Sequence, residues 1–187
     1  MEPIETIDYR GYKIHLHIDD YPMNPRDWDN MGKMYCWYRD YNLGDKHKEE
    51  IETVQDWIER NEVIALPLFL YDHSGITMNT TGFSCRWDSG QVGYIVADEK
   101  ALIANYGTTQ LTEKQIEDVR QALKAEVEKY DQYIRGEVYG YIVESESDDH
   151  EESCWGYYRK VDAIADAQSW INYTIKERGE QINIPCV

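Results

Sequence analysis

Phenylalanine is almost missing from this chain of 187 residues: two Phe stand beside sixteen Tyr and six Trp. The aromatic surface is therefore carried by side chains with a polar handle, which tolerate half-burial and fit the pleat of a sheet. Lysine and arginine are scarce too, 19 against 36 Asp and Glu, for a formal net charge of −17. A broad basic face gripping DNA phosphates is not expected, because Lys and Arg make that contact. The charge suits a basic partner, or serves solubility alone. No apolar run reaches the roughly 18 residues of a membrane span. The start, Met1-Glu2-Pro3-Ile4-Glu5, is acidic and has no apolar segment, so no signal peptide is expected and a cytoplasmic setting is. Cys36, Cys85, Cys154 and Cys186 are scattered without a Cys-x-x-Cys pair, which favours free thiols over a disulfide frame or a zinc site. Walker loops, dinucleotide fingerprints, nucleophile elbows and zinc-protease motifs are lacking, and no cofactor or metal is expected.

The most informative stretch runs over 65–96. Two apolar runs, Leu66–Tyr71 and Val92–Val96, bracket a polar, glycine-rich segment and read as buried strands. Pro67 removes a ladder donor, which places its strand at an edge or at a bulge. The segment between the strands carries Asp72, His73, Ser74, Cys85, Asp88, Ser89 and Gln91. An enzyme reading uses Asp72, His73 and Cys85, with Ser74 or Asp88 in support, since a cysteine nucleophile needs a nearby base and a third group to orient it.

Residues 9–18 alternate, with Tyr12, Ile14, Leu16 and Ile18 on one face and Lys13, His15 and His17 on the other. The histidine spacing would suit a metal pair, but no third ligand is near, so both are read as solvent-facing. Three helices are expected. The first spans Lys48–Asn61, with Asp45 as N-cap and an acidic face of Glu49, Glu52, Asp56 and Glu59. The second and clearest starts at Thr112, whose capping box with Gln115 leads the stripe Ile116, Val119, Leu123, Val127, Tyr130 and Ile134 to a stop at Gly136. The third spans Asp162–Arg178. Asp98 caps a further, short helix through Ile103 that ends near Gly107, and Ile182 and Ile184 suggest a final strand in the tail 181–187. Segments 137–144 and 153–159 read as a hairpin. Between Arg135 and Arg159 there are seven carboxylates and no Lys or Arg, among them Glu144, Glu146, Asp148, Asp149, Glu151 and Glu152. Charges held this close repel, and a basic partner would relieve them. The expected fold is a single acidic domain of α+β class, a mainly antiparallel sheet with about three helices packed on it.

Several blocks carry a resemblance. Leu-Tyr-Asp-His-Ser-Gly-Ile-Thr-Met at 70–78, Phe-Ser-Cys-Arg-Trp-Asp-Ser-Gly-Gln-Val-Gly at 83–93, the segment 24–44, Tyr-Asp-Gln-Tyr from Tyr130, Gly-Glu-Val-Tyr-Gly from Gly136 and Ser-Cys-Trp-Gly-Tyr from Ser153 resemble a family of small phage and mobile-element proteins. The resemblance implies an anti-CRISPR protein that inhibits a Cas9-type nuclease in the bacterial host cytoplasm. It carries over no catalytic residue. On that reading an acidic surface acts as a mimic of nucleic acid and enters the basic channel of the guide-loaded effector. The contact residues would be Glu144, Glu146, Asp148, Asp149, Glu151 and Glu152, then Glu49, Glu52, Asp56 and Glu59. The alternatives are a hydrolase or transferase built on Asp72, His73 and Cys85, and a regulatory protein that forms a homodimer through its tyrosine-rich sheet.

Overall fold

The computed structural model describes residues 2–145 and 150–182. In chain order its elements are β1 (Glu5–Tyr9), β2 (Tyr12–Ile18), β3 (Lys33–Cys36), α1 (Ile51–Glu59), β4 (Val63–Asp72), β5 (Ile76–Asn79), β6 (Ser89–Asp98), α2 (Glu99–Tyr106), α3 (Glu113–Ile134), β7 (Tyr139–Ser145), β8 (His150–Tyr157) and α4 (Lys160–Ile182). The class is α+β with antiparallel pairing, as the strand patterns imply. The strands form two four-stranded sheets, not one, and four helices are present among the described residues. The chain divides into two compact units, Met1–Met23 with Gly136–Val187, and Asn24–Arg135.

The first unit holds the sheet β1-β2-β7-β8. The chain reverses between β1 and β2 through Arg10 and Gly11, at φ 53° and 83°. Two consecutive positive-φ residues make the tight hairpin turn whose twist matches antiparallel strands. α4 lies on one face, where Ala163, Ala167 and Ile171, spaced by four, meet Ile14, Leu16, Tyr141 and Val143. The two small alanines let the helix approach closely, and each fully buried large side chain contributes about 1.5–3 kcal/mol. Asp166 of α4 accepts hydrogen bonds from the Tyr141 and Tyr157 hydroxyls, at 2.9 and 2.6 Å, which ties the helix to β7 and β8.

The other face of this sheet corrects the expectation that both histidines meet water. Gly140 pairs with His17 on one side and Trp155 on the other. A Cβ at Gly140 would collide with the Trp155 ring. Without one, the indole lies across the glycine toward His17, ring centroids 6.0 Å apart, and His17 is left 3% exposed. His15 bonds Thr6 Oγ1 through Nδ1 at 2.9 Å and Glu144 Oε2 through Nε2 at 3.0 Å. Burial, reinforced by the charge of His15, lowers the His17 pKa below its ordinary 6.5. A depressed histidine pKa means that the unfolded chain binds the proton more readily. Stability is therefore full above about pH 6.5 and falls as pH drops toward the folded-state value. Thermal melts at pH 7.5 and 5.5 are expected to show a smaller acid-induced loss for His17→Leu than for the parent chain.

The second unit holds the sheet β3-β6-β4-β5. α3 covers one face: Val119, Leu123, Val127 and Tyr130 pack on Met34, Leu68, Leu70, Met78 and Ile95. Its start has both halves of the Thr112–Gln115 capping box, and Gly136 follows its C-cap at φ 69°. α1 lies on the opposite face, where Val54, Trp57 and Ile58 meet Tyr35, Val96 and Tyr94. β4 is an interior strand, yet β5 pairs only with Phe69–Asp72, so Pro67 borders no strand on that side, and a bulge follows between Leu68 and Phe69. Both devices that admit a proline to a strand are in use. The tail strand expected over 181–187 gives way to α4 at Gln181 and Ile182, and its remainder, 183–187, lies outside the described residues.

Candidate functional site

The unit of Met1–Met23 and Gly136–Val187 carries sixteen of the chain's 36 acidic residues but only six of its 19 basic ones. Its β7–β8 hairpin was the leading contact surface on sequence grounds. Glu146, Asp148 and Asp149 lie outside the described residues. The described members are partly engaged within the fold. Glu144 is held by His15. Glu151 meets Arg178 of α4 at 2.8 Å, and Arg178 also donates to the Tyr12 hydroxyl at 3.0 Å. Glu152 accepts from the Ser153 backbone N–H at 2.9 Å. The bulge between Val143 and Glu144 sets Glu152 across from Val143 and Glu144 across from His150.

The α1 acidic face is more available. The helix is shorter than expected and begins after Glu50, which makes no side-chain cap bond. Asp45 is not its N-cap. It binds Arg26 and accepts from the Met34 N–H at 2.6 Å. Glu49 accepts from the Lys48 N–H, which lowers its pKa. Asp56, half-buried, pairs with the exposed Arg60 at 2.9 Å. Glu52 and Glu59 are exposed at i and i+7 on the same side as Asp56, with no ion pair among the described residues. Their axial spacing from Asp56, about 6 and about 4.5 Å, follows from the 1.5 Å rise per residue. That is coarser than the phosphate rise of about 3.4 Å along one DNA strand.

The loop chemistry differs from the enzyme expectation. Asp88, not Asp72, is the hub: Cys85 Sγ donates to Asp88 Oδ2 at 3.4 Å, and His73 Nδ1 stands 3.6 Å from the same oxygen. A carboxylate thus lies between thiol and imidazole, whereas a cysteine nucleophile requires the base beside the sulfur. Asp72 accepts from the Tyr38 hydroxyl at 3.0 Å, a bond that raises the Tyr38 pKa because the phenol is held as donor to an anion. His73 is exposed in a turn with Ser74 and Gly75, both at positive φ, and its N–H bonds the Gly75 carbonyl. The Ser89 hydroxyl donates to the Cys85 carbonyl and so closes the loop. Among the described residues no cluster of three metal-ligating side chains exists.

Asp72, Asp88 and Ser89, but not His73 or Cys85, line a cleft of about 340 Å³ together with Trp37, Tyr38, Trp87 and Gln91 and neighbouring strand residues. Trp87 is 96% exposed at its lip. Tyr38 stacks on Tyr41, centroids 6.0 Å apart and planes within 7°. Sequence reasoning passed over this aromatic rim. Its signal was Arg86-Trp87-Asp88, a tryptophan flanked on both sides by charges within a loop.

Cys36 behaves as a core residue. Burial, with the nearby Asp45 charge, pushes its thiol up to about 12. The thiolate is the reactive species, so native protein at pH 8 is expected to spare Cys36 from iodoacetamide. Mass mapping before and after unfolding reads this out. Equal labelling in both states would refute it.

Comparison with protein-family models, with curated proteins and with solved structures found no match to this chain.

Proposed function

We propose that this protein is a non-catalytic inhibitor that binds a basic nucleic-acid-binding protein, a Cas9-type nuclease in the bacterial host cytoplasm, and competes there with nucleic acid. The observation that carries the reading is the uneven charge: sixteen acidic against six basic residues in one compact unit. The exposed Glu52 and Glu59 of α1 add negative potential in the other. A guide-loaded effector presents a positively charged channel meant for a heteroduplex, which is the complementary surface. The order of contact residues changes with the structure. Glu52 and Glu59 come first, because Glu144 and Glu151 already have partners. The separation of thiol from imidazole by Asp88 counts against the hydrolase or transferase alternative.

The test is calorimetric titration into purified Cas9-type nuclease, with and without guide RNA, across a salt series. Affinity is expected to fall at least roughly tenfold from 0.1 to 0.5 M salt, as exposed charge attraction is screened. Cys85→Ala is expected to bind as the parent does. Salt-independent binding, or loss of inhibition in Cys85→Ala alone, would overturn the reading.

A further inference from the structure

Asp72 and Asp88 stand opposite each other at the open end of the β4–β6 ladder. Tyr71 pairs with Ser89, and the next step is the Asp72 N–H bonding the Asp88 carbonyl at 2.8 Å. Residues directly opposite in an antiparallel pair project to the same face, with Cβ atoms about 4.5–5.5 Å apart, and like charges there oppose each other. Both carboxylates line the cleft, and no Lys or Arg does. Among the described residues the ion pair to either carboxylate is that of His73, which reaches Asp88 from an exposed turn. Each carboxylate uses Oδ2 internally, Asp72 for Tyr38 and Asp88 for Cys85, while neither Oδ1 has a hydrogen-bond partner among the described residues. Beside them, the indole of Trp87 is 96% exposed. An aromatic face next to two paired anions, in a cleft that no Lys or Arg lines, is complementary to a planar cation that stacks and donates in one plane.

We propose that the cleft of Tyr38, Asp72, Trp87, Asp88 and Gln91 receives an arginine side chain from a basic partner protein, the guanidinium stacking on Trp87 and donating to the two aspartates. The inference deepens the binding function proposed above and names the chemistry that one contact recognises. Arginine fits better than lysine because its flat fork reaches two carboxylates while stacking, whereas an ammonium is a point charge. Gln91 also lines the cleft, its Nε2 donating to the Gly93 carbonyl at 3.3 Å.

The test follows the Trp87 indole resonance of the intact protein by NMR during titration with acetyl-Gly-Arg-Gly-amide. The matched lysine and citrulline tripeptides are titrated in parallel. The arginine peptide is expected to give a saturable shift, with the lysine peptide at least threefold and the citrulline peptide at least tenfold weaker. Trp87→Ala removes an exposed side chain, and Asp72→Asn keeps an acceptor for Tyr38, so both should fold. With the Gly93 or Val92 backbone amides as reporters, each variant is expected to weaken the arginine peptide at least fivefold. No saturable shift, an equal response to citrulline or lysine, or unchanged affinity in both variants would overturn the proposal. The two readings fail separately. A nuclease that binds Trp87→Ala as tightly as the parent removes the arginine contact from the complex. A tripeptide that binds while the nuclease does not leaves the cleft and removes the named partner.

Discussion

Arg26→Met is expected to destabilise the second unit by about 3–5 kcal/mol, the range for removing one partner of a buried ion pair. Arg26 sits in a short 3-10 turn, Pro25–Asp27, capped by Asn24, with its side chain 3% exposed. Its guanidinium reaches Asp45 Oδ2 at 2.8 Å and Oδ1 at 3.3 Å, Glu126 Oε2 at 2.9 Å, and the Gly32 carbonyl. Burial alone would lower its pKa, but the hydrogen bonds and charges of Asp45 and Glu126 outweigh that and raise it. The two carboxylates do more than balance Arg26. Asp45 holds the Met34 N–H at the start of β3, and Glu126 of α3 holds the N–H of Met31 at 2.8 Å. Methionine fills the volume but leaves two anions, 18% and 15% exposed, without their cation. Glu126→Gln retains an acceptor and leaves Asp45 in place, so it should cost less, about 1–3 kcal/mol. Urea denaturation measures both. A loss below about 1 kcal/mol for Arg26→Met would show that the pair is not the clamp between the 24–45 loop and α3.

Reversing Glu52 and Glu59 together to lysine is expected to weaken nuclease binding by roughly 10- to 100-fold, about 1.4–2.8 kcal/mol, with no loss of thermal stability. Both side chains are exposed, and the helix packs through Val54, Trp57 and Ile58. The change moves the local charge by four units on a face that already holds Arg60, so the slope of affinity against salt should flatten as well. Glu151→Lys is a poorer probe, since it also breaks the contact to Arg178 and destabilises the hairpin. Affinity measured on the double variant separates the electrostatic account from a contact made elsewhere. Unchanged affinity would remove α1 from the interface.

Caps and stripes of the second unit's longer elements were legible in the sequence. The Asp45 cap expected for α1 was not, because Asp45 is drawn to Arg26 and the Met34 N–H, and long-range pairing was not legible either. The Thr112 capping box, the α3 stripe and the Gly136 stop each depend on neighbours within a few residues, and the structure reproduces them. The Asp98 cap was equally plain, its side chain accepting from the Ala101 N–H at 2.7 Å. β1 was missed because its turn uses Arg10 in the left-handed region, where a glycine or asparagine would have signalled a hairpin. The division into two sheets was hidden because β2 finds its partner in β7, more than 120 residues away, and no periodicity encodes that. Alternation placed His17 on the face away from the core helix, but the cover there is Trp155 lying across Gly140, a relation between three strands. At the candidate site, the residue types near Cys85 were readable. Their order in space was not, because a loop fixes which side chain stands between two others only when it folds.

The proposed function requires the protein to occupy a surface meant for nucleic acid. The most direct measurement is the equilibrium binding of fluorescent target DNA to guide-loaded Cas9-type nuclease at increasing concentrations of the protein. A parallel rightward shift of the DNA-binding curve is expected, overcome by excess DNA and reduced for the Glu52→Lys, Glu59→Lys variant. An unchanged curve, or a fall in maximal binding that excess DNA does not restore, would contradict it.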